Sequence, residues 1–185
     1  MKKLVLILIM VCLLPLSVQA ADFIFDKGVT WGMSQKAVLK IEKKAGSKVK
    51  NKSADKAEVN ANYREHKDVR VIYFFTNDKL SGVEYTIRYA TTVSNAQLYY
   101  DDYLKVVGDL TDSYGKPDQE GLNWKISDTA LKSGFEDQNK TGLAVSLGYL
   151  DARAVWELED NMTITVDLFS PENLKAAIKV SYKKL

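Results

Sequence analysis

Val83-Glu84-Tyr85-Thr86-Ile87-Arg88-Tyr89 alternates apolar and polar residues without a break. A period of two places Val83, Tyr85, Ile87 and Tyr89 on one face and Glu84, Thr86 and Arg88 on the other. That is the pattern of an antiparallel strand with one face on a core and one in water. Just upstream, Val69, Val71, Tyr73 and Phe75 share a face while Ile72 and Phe74 occupy the opposite one, which predicts a neighbouring strand partly buried on both sides. Thr76-Asn77-Asp78-Lys79 between the two supplies turn residues. Val59 to Arg64 predicts a further extended piece, so the region reads as a hairpin or three-stranded meander.

Moving outward, helices are expected on both sides of this meander. In Val29-Thr30-Trp31-Gly32-Met33-Ser34, Ser34 is an N-cap candidate whose hydroxyl can accept from an unpaired backbone N–H. Met33 and Val38 have the spacing of a hydrophobic staple. Ala37, Val38, Ile41 and Ala45 recur at helical intervals before Gly46, a residue suited to a left-handed helix end. Trp31 reads as a packing anchor for this helix start, and burial of its indole is expected. Downstream of the meander, Ser94-Asn95-Ala96-Gln97 fits a capping box with Val93 and Leu98 as its staple. Tyr100, Tyr103, Val107, Leu110 and Tyr114 then follow at helical spacing, with Asp101, Asp102, Asp109 and Asp112 on the wetter side, until Gly115 and Pro117 stop the helix.

The C-terminal part returns to period two. Ala154, Trp156 and Leu158 share a face, Asp160-Asn161 is a two-residue turn, and Met162, Ile164, Val166 and Leu168 alternate with Thr163, Thr165 and Asp167. Ala176, Ile178, Val180 and Tyr182 form a last strand after the turn at Ser170-Pro171-Glu172-Asn173. Between helix and strands, residues 117–152 read as an irregular insert. Trp124 has strand-like neighbours, Gly134 to Gly142 is polar and loop-like, and Leu143 to Tyr149 fits a strand or a short buried helix equally. The fold class is therefore α+β, with two helices packed on antiparallel sheet. The organisation suggests two tandem helix-plus-meander units, residues 21–92 and 93–185.

Residues 1–20 have the form of a secretory signal. Lys2 and Lys3 precede a short apolar run, Pro15 closes it, and Val18-Gln19-Ala20 offers a small-residue cleavage site, giving an exported protein, periplasmic or secreted. The chain carries 26 Lys+Arg against 24 Asp+Glu, and Lys2 and Lys3 account for the difference, so removal of the signal leaves no net charge. Its single cysteine, Cys12, lies in the same segment, so the exported part has no disulfide and depends on its core. No later segment is apolar enough to span a membrane. The lysines from Lys36 to Lys56, Lys43 and Lys48 among them, read as a solvated helix face running into a polar loop. With no aromatic between Gly46 and Asn62, that stretch does not favour nucleic acid.

The opening Phe25 to Val29, then Trp31-Gly32-Met33-Ser34 and Val38, resembles that of a group of small exported bacterial α+β proteins. Tyr114-Gly115-Lys116-Pro117, Trp156 and Tyr182 match the same pattern. The layout is also similar to β-lactamase-inhibitor-protein-like and outer-membrane-assembly lipoprotein modules, and the resemblance implies helices packed on an antiparallel sheet. The chain departs from these relatives in lacking a lipid-attachment cysteine and disulfide pairs. Fold analogy does not by itself carry function.

Groups suited to chemistry are sparse. His66 is the sole histidine, placed among charged residues in a turn, and neither metal-ligand spacing, a phosphate loop nor a serine elbow is recognisable. Glu157 and Glu159 would face one way along a strand, a separation compatible with acid–base work, although lysines across the sheet explain them more simply. The expectation is a non-enzymatic protein of the bacterial envelope without a cofactor, acting as a protein-interaction module through its sheet face or insert, with another envelope protein as partner. The alternative is a module for a small ligand or lipid headgroup. Tyr100, Tyr103, Trp124, Lys43 and Lys48 are the candidate surface residues.

Overall fold

The computed structural model describes residues 27–90, 94–137 and 139–184. The expected signal segment and Phe25 lie outside them, as does Val93 of the second staple. The chain runs α1 (Gln35–Lys44), β1 (Lys48–Lys52), β2 (Lys56–Tyr63), β3 (His66–Thr76), β4 (Lys79–Ala90), α2 (Ala96–Tyr114), β5 (Gln119–Trp124), α3 (Thr129–Asp137), α4 (Thr141–Ser146), β6 (Leu150–Leu158), β7 (Met162–Phe169) and β8 (Lys175–Lys184). All eight strands join one antiparallel sheet in the order β1-β2-β3-β4-β8-β7-β6-β5. The mixed α+β class and the antiparallel sheet agree with the sequence pattern, and α1 and α2 fall where helices are expected, but the described residues hold four helices instead of two. No described helix is long and apolar enough to cross a membrane.

Register explains the single core. Val59 pairs with Val71, Val71 with Tyr85, Tyr85 with Val180, Val180 with Val166 and Val166 with Ala154, so the apolar faces of six strands form one continuous surface. Helices α1, α2 and α4 pack on it, and α3 reaches it through Phe135. On α2, Tyr99, Tyr103, Val106, Val107 and Leu110 are buried.

The opening segment starts α1 and ties it to the sheet. Ser34 Oγ accepts from Ala37 N at 3.3 Å, and Asp78 in the β3–β4 turn accepts from Gln35 N at 3.0 Å, so two orphan N–H groups of the helix are satisfied from different parts of the chain. Asn77 and Asp78, at φ 52° and 58°, give that two-residue turn the left-handed backbone its hairpin requires. Gly32, at φ 77°, donates to Leu80 O at 3.1 Å while Leu80 N donates to Met33 O at 2.9 Å. The segment is thus hydrogen-bonded alongside the start of β4. Trp31 is half-buried against the core rather than enclosed by it.

Four local expectations change. The lysine-rich stretch after α1 is no loop: it forms β1, an edge strand with every residue exposed and a bulge between Val49 and Asn51. Lysines and a bulge on an edge discourage pairing with other chains, and they also remove the apolar alternation that reveals a strand. The irregular insert at 117–152 is largely regular, comprising β5, α3, α4 and the start of β6, and Leu143 to Ser146 are helical. The capping box does not form, because the cap position falls to Asn95 and the Gln97 side chain is engaged with Asp101 and Gly142 N. The β6–β7 loop spans Glu159, Asp160 and Asn161, one residue more than expected, with Asp160 and Asn161 at φ 60° and 56°.

Glu42 shows how strongly position overrides composition. It sits in a lysine-rich helix, yet it is 1% exposed. Tyr73 and Ser47 hydroxyls donate to its carboxylate, and Lys27 Nζ lies 3.1 Å from Oε2. A buried carboxylate is tolerable only with such partners. Glu42→Gln keeps the shape but removes the counter-charge of Lys27 and places an amide donor among hydroxyl donors. The expected loss is about 2 kcal/mol in urea unfolding; a midpoint unchanged from wild type would show that the network contributes nothing.

Candidate functional site: the open face of the sheet

The sheet face opposite the core carries the other half of each alternation. Register sets its side chains in rows. One row runs Arg70, Thr86, Lys179, Asp167, Arg153, and the next runs Glu58, Ile72, Glu84, Ser181, Thr165, Val155. Arg70, Glu58, Lys179, Asp167 and Arg153 in these rows are already paired. Arg70 makes a two-pronged bond to Glu58 at 2.9 and 3.0 Å. Asp167, 9% exposed, accepts from Arg153 Nε at 2.6 Å and lies 3.5 Å from Lys179 Nζ. Lys179 also sits 5.8 Å from the centre of the Phe169 ring. The hydrogen bond from Arg70 holds the Glu58 carboxyl below its ordinary range, and the bond to Glu58 raises the Arg70 guanidinium. Arg153 is raised in the same way by its bond to Asp167.

Apolar groups lie among these pairs. Ile72 is 8% exposed although it faces away from the core, and Phe74, Val155 and Phe169 are half-buried. Gly82 lies opposite Phe74, and a Cβ there would stand 3.3 Å from the Phe74 ring, so the ring would have to give by a few tenths of an ångström. Three open hollows mark the face. One of about 880 Å³ lies between Trp31, Phe74, Gly82 and Lys183. A second of about 510 Å³ lies over Arg70, Thr86 and Arg88, and a third of about 490 Å³ over Arg153, Asp167 and Phe169.

The candidate residues do not converge. Tyr103 is 2% exposed in the core beneath α2, with half-buried Tyr100 beside it, their rings 6.1 Å apart. Burial pushes both phenols above their ordinary range, with the charge of Glu120 on β5 adding to the shift. Trp124 ends β5, half-buried, with Phe135 6.3 Å away and the Lys132 ammonium 5.6 Å from its ring. Lys43 and Lys48 are exposed at the end of α1 and the start of β1, the edge of the sheet opposite β5.

The acid pair also separates. Glu157 is exposed on β6, whereas Glu159 lies in the following turn. His66 opens β3 instead of sitting free in a turn, with its side chain 18% exposed near Asp102. Asp102, expected on the wet side of α2, is half-buried and accepts from the Tyr89 hydroxyl at 2.9 Å.

Sequence reasoning missed the rows on the open face because register assembles them from strands far apart in the chain. One signal was present: Ile72 and Phe74 interrupt an otherwise polar face. Compared with known proteins, the chain matches no family model, no curated protein and no solved structure.

Proposed function

We propose that this is an exported, non-enzymatic protein of the bacterial envelope, and that the open face of its sheet docks another envelope protein. The observation that carries the reading is the face itself: Ile72, Phe74, Val155 and Phe169 lie within a framework of paired charges, on a sheet whose described helices pack on the opposite side. Apolar groups surrounded by polar ones are the anatomy of a protein interface. Ion pairs formed before binding also reduce the ordering cost of association. Export rests on residues 1–20. The non-enzymatic reading draws support from the division of Glu157 and Glu159 between strand and turn.

Two related halves, residues 21–92 and 93–185, belong to the same proposal. Their support is a strand order that runs inward from β1 to β4 and from β5 to β8 and meets at the β4–β8 pairing. The resemblance to inhibitor-like and assembly-lipoprotein modules is proposed on the same footing.

The small-ligand alternative now centres on the hollow between Trp31 and Phe74, whose volume of about 880 Å³ falls in the range of ligand pockets. A photo-crosslinking residue at Arg88 or Phe74, compared with one at exposed Leu98 on α2, tests the docking reading in intact cells. The expected result is one discrete protein adduct from the sheet positions and none from Leu98. Adducts that are absent, or equal at all three positions, would overturn it.

A further inference from the structure

The β2–β3 hairpin and the middle of α2 bring together a group of side chains at the margin of the docking face. Glu65 lies in the two-residue turn between Tyr63 and His66, His66 opens β3, and Asp102 faces them from α2. One ligand atom from each of the three lies within 4.8 Å of the others. His66 Nε2 is 3.9 Å from Asp102 Oδ2, too far for a hydrogen bond. Two donors bound to a zinc ion at about 2.0–2.1 Å stand roughly 3.3 Å apart, so small side-chain shifts bring this pair to a shared ion.

The surroundings hold the donors in place. The Tyr89 hydroxyl donates to Asp102 Oδ2 at 2.9 Å, and its ring meets the His66 imidazole edge-on with centroids 5.9 Å apart. Tyr89 therefore hydrogen-bonds one candidate ligand, the part that outer partners play at metal sites, and packs edge-on against a second. A hollow of about 300 Å³ opens over the group and is bounded also by Arg64, Lys105 and Asp109. The neighbouring cations are occupied: Arg64 pairs with Asp109, and Lys105 donates to Glu65 at 2.6 Å. Glu65 is an exposed turn residue, and a divalent ion at this site takes the place of the Lys105 ammonium on its carboxylate.

We propose that Glu65, His66 and Asp102 form a binding site for a divalent transition-metal ion of the zinc class, with water completing its coordination. One imidazole and two carboxylates favour zinc, nickel or copper over calcium and magnesium, which take all-oxygen shells. His66 and Tyr89 also border the hollow over Arg70 and Arg88 on the sheet face, but the test of the metal site does not depend on any partner.

The test is titration of untagged, chelator-treated protein with zinc chloride, followed by calorimetry and by imidazole NMR. His66 is the only histidine, so its resonances report the site without ambiguity. The expected result is one equivalent bound with a shift of the His66 signals, and no response to magnesium or calcium chloride. His66→Gln and Asp102→Asn each lower the affinity at least about tenfold, and Tyr89→Phe lowers it by about tenfold. Unmoved His66 signals at one equivalent of zinc would overturn the proposal. So would a His66→Gln variant that binds as tightly as wild type. The NMR reading on the unaltered protein keeps the test valid even where a variant folds poorly.

Discussion

Gly142→Ala lowers the melting temperature by roughly 9 °C, corresponding to a loss of about 3 kcal/mol in a chain of this length. Gly142 is the second residue of α4, where it lies against the first turn of α2. A Cβ built there would stand 2.1 Å from Ala96 O, 2.6 Å from Ala96 C and 2.7 Å from Gln97 Cα. All three are backbone atoms, so no side chain can rotate away, and the two helices must part. Parting them also breaks the 3.1 Å bond from Gly142 N to Gln97 Oε1. The matched control is Gly108→Ala in exposed mid-α2, where nothing lies within 4 Å of the new methyl. There the substitution relieves the entropic cost of a helical glycine and stabilises by about 0.5–1 kcal/mol. Opposite signs for the two variants in thermal unfolding support the close approach. A Gly142→Ala protein that melts like wild type contradicts it.

Trp156→Ala is expected to lose about 4 kcal/mol. Trp156 is 1% exposed on β6, pairs with Ile164 and is among the largest fully buried side chains among the described residues. It also has a polar duty, since Nε1 donates to Gly115 O at 2.9 Å, where α2 ends. Removing the indole opens a cavity and leaves that carbonyl without the bond. Trp156→Phe retains much of the volume and loses the hydrogen bond, with an expected cost of about 1–2 kcal/mol. Chemical denaturation of the pair separates volume from hydrogen bonding. Equal losses in both variants would assign the whole effect to the N–H group.

The parts of the fold that could be read from the sequence are those whose signal is local. β4 and β7 alternate strictly, and Ser34 caps within three residues, so each could be placed without knowing its neighbours. Strand β1 could not, because Lys48-Val49-Lys50-Asn51-Lys52 is an edge strand whose composition suppresses pairing and with it the apolar pattern. Helix α3 was hidden for a related reason: it buries chiefly Phe135, too little for a recognisable stripe. Glu42 carries no local sign of burial, because its partners Tyr73, Ser47 and Lys27 come from separate parts of the chain. The open face had the same difficulty throughout. Arg70, Lys179, Asp167 and Arg153 are ordinary wet-face residues one at a time and become a row only through the register of five strands.

The pairing of β4 with β8 has a kinetic consequence. Strands β1 to β4 pair with their sequence neighbours and can zip as they appear, and so can β5 to β7. The central seam joins Ala90 to Lys175 and Gly82 to Lys183, so β4 and β7 both keep an open edge until β8 arrives. Contacts this distant in the chain form slowly and reward the chain only once they close. The chain therefore stands as two incomplete sheets for as long as β8 is missing, and it locks into one only when this last strand is in place.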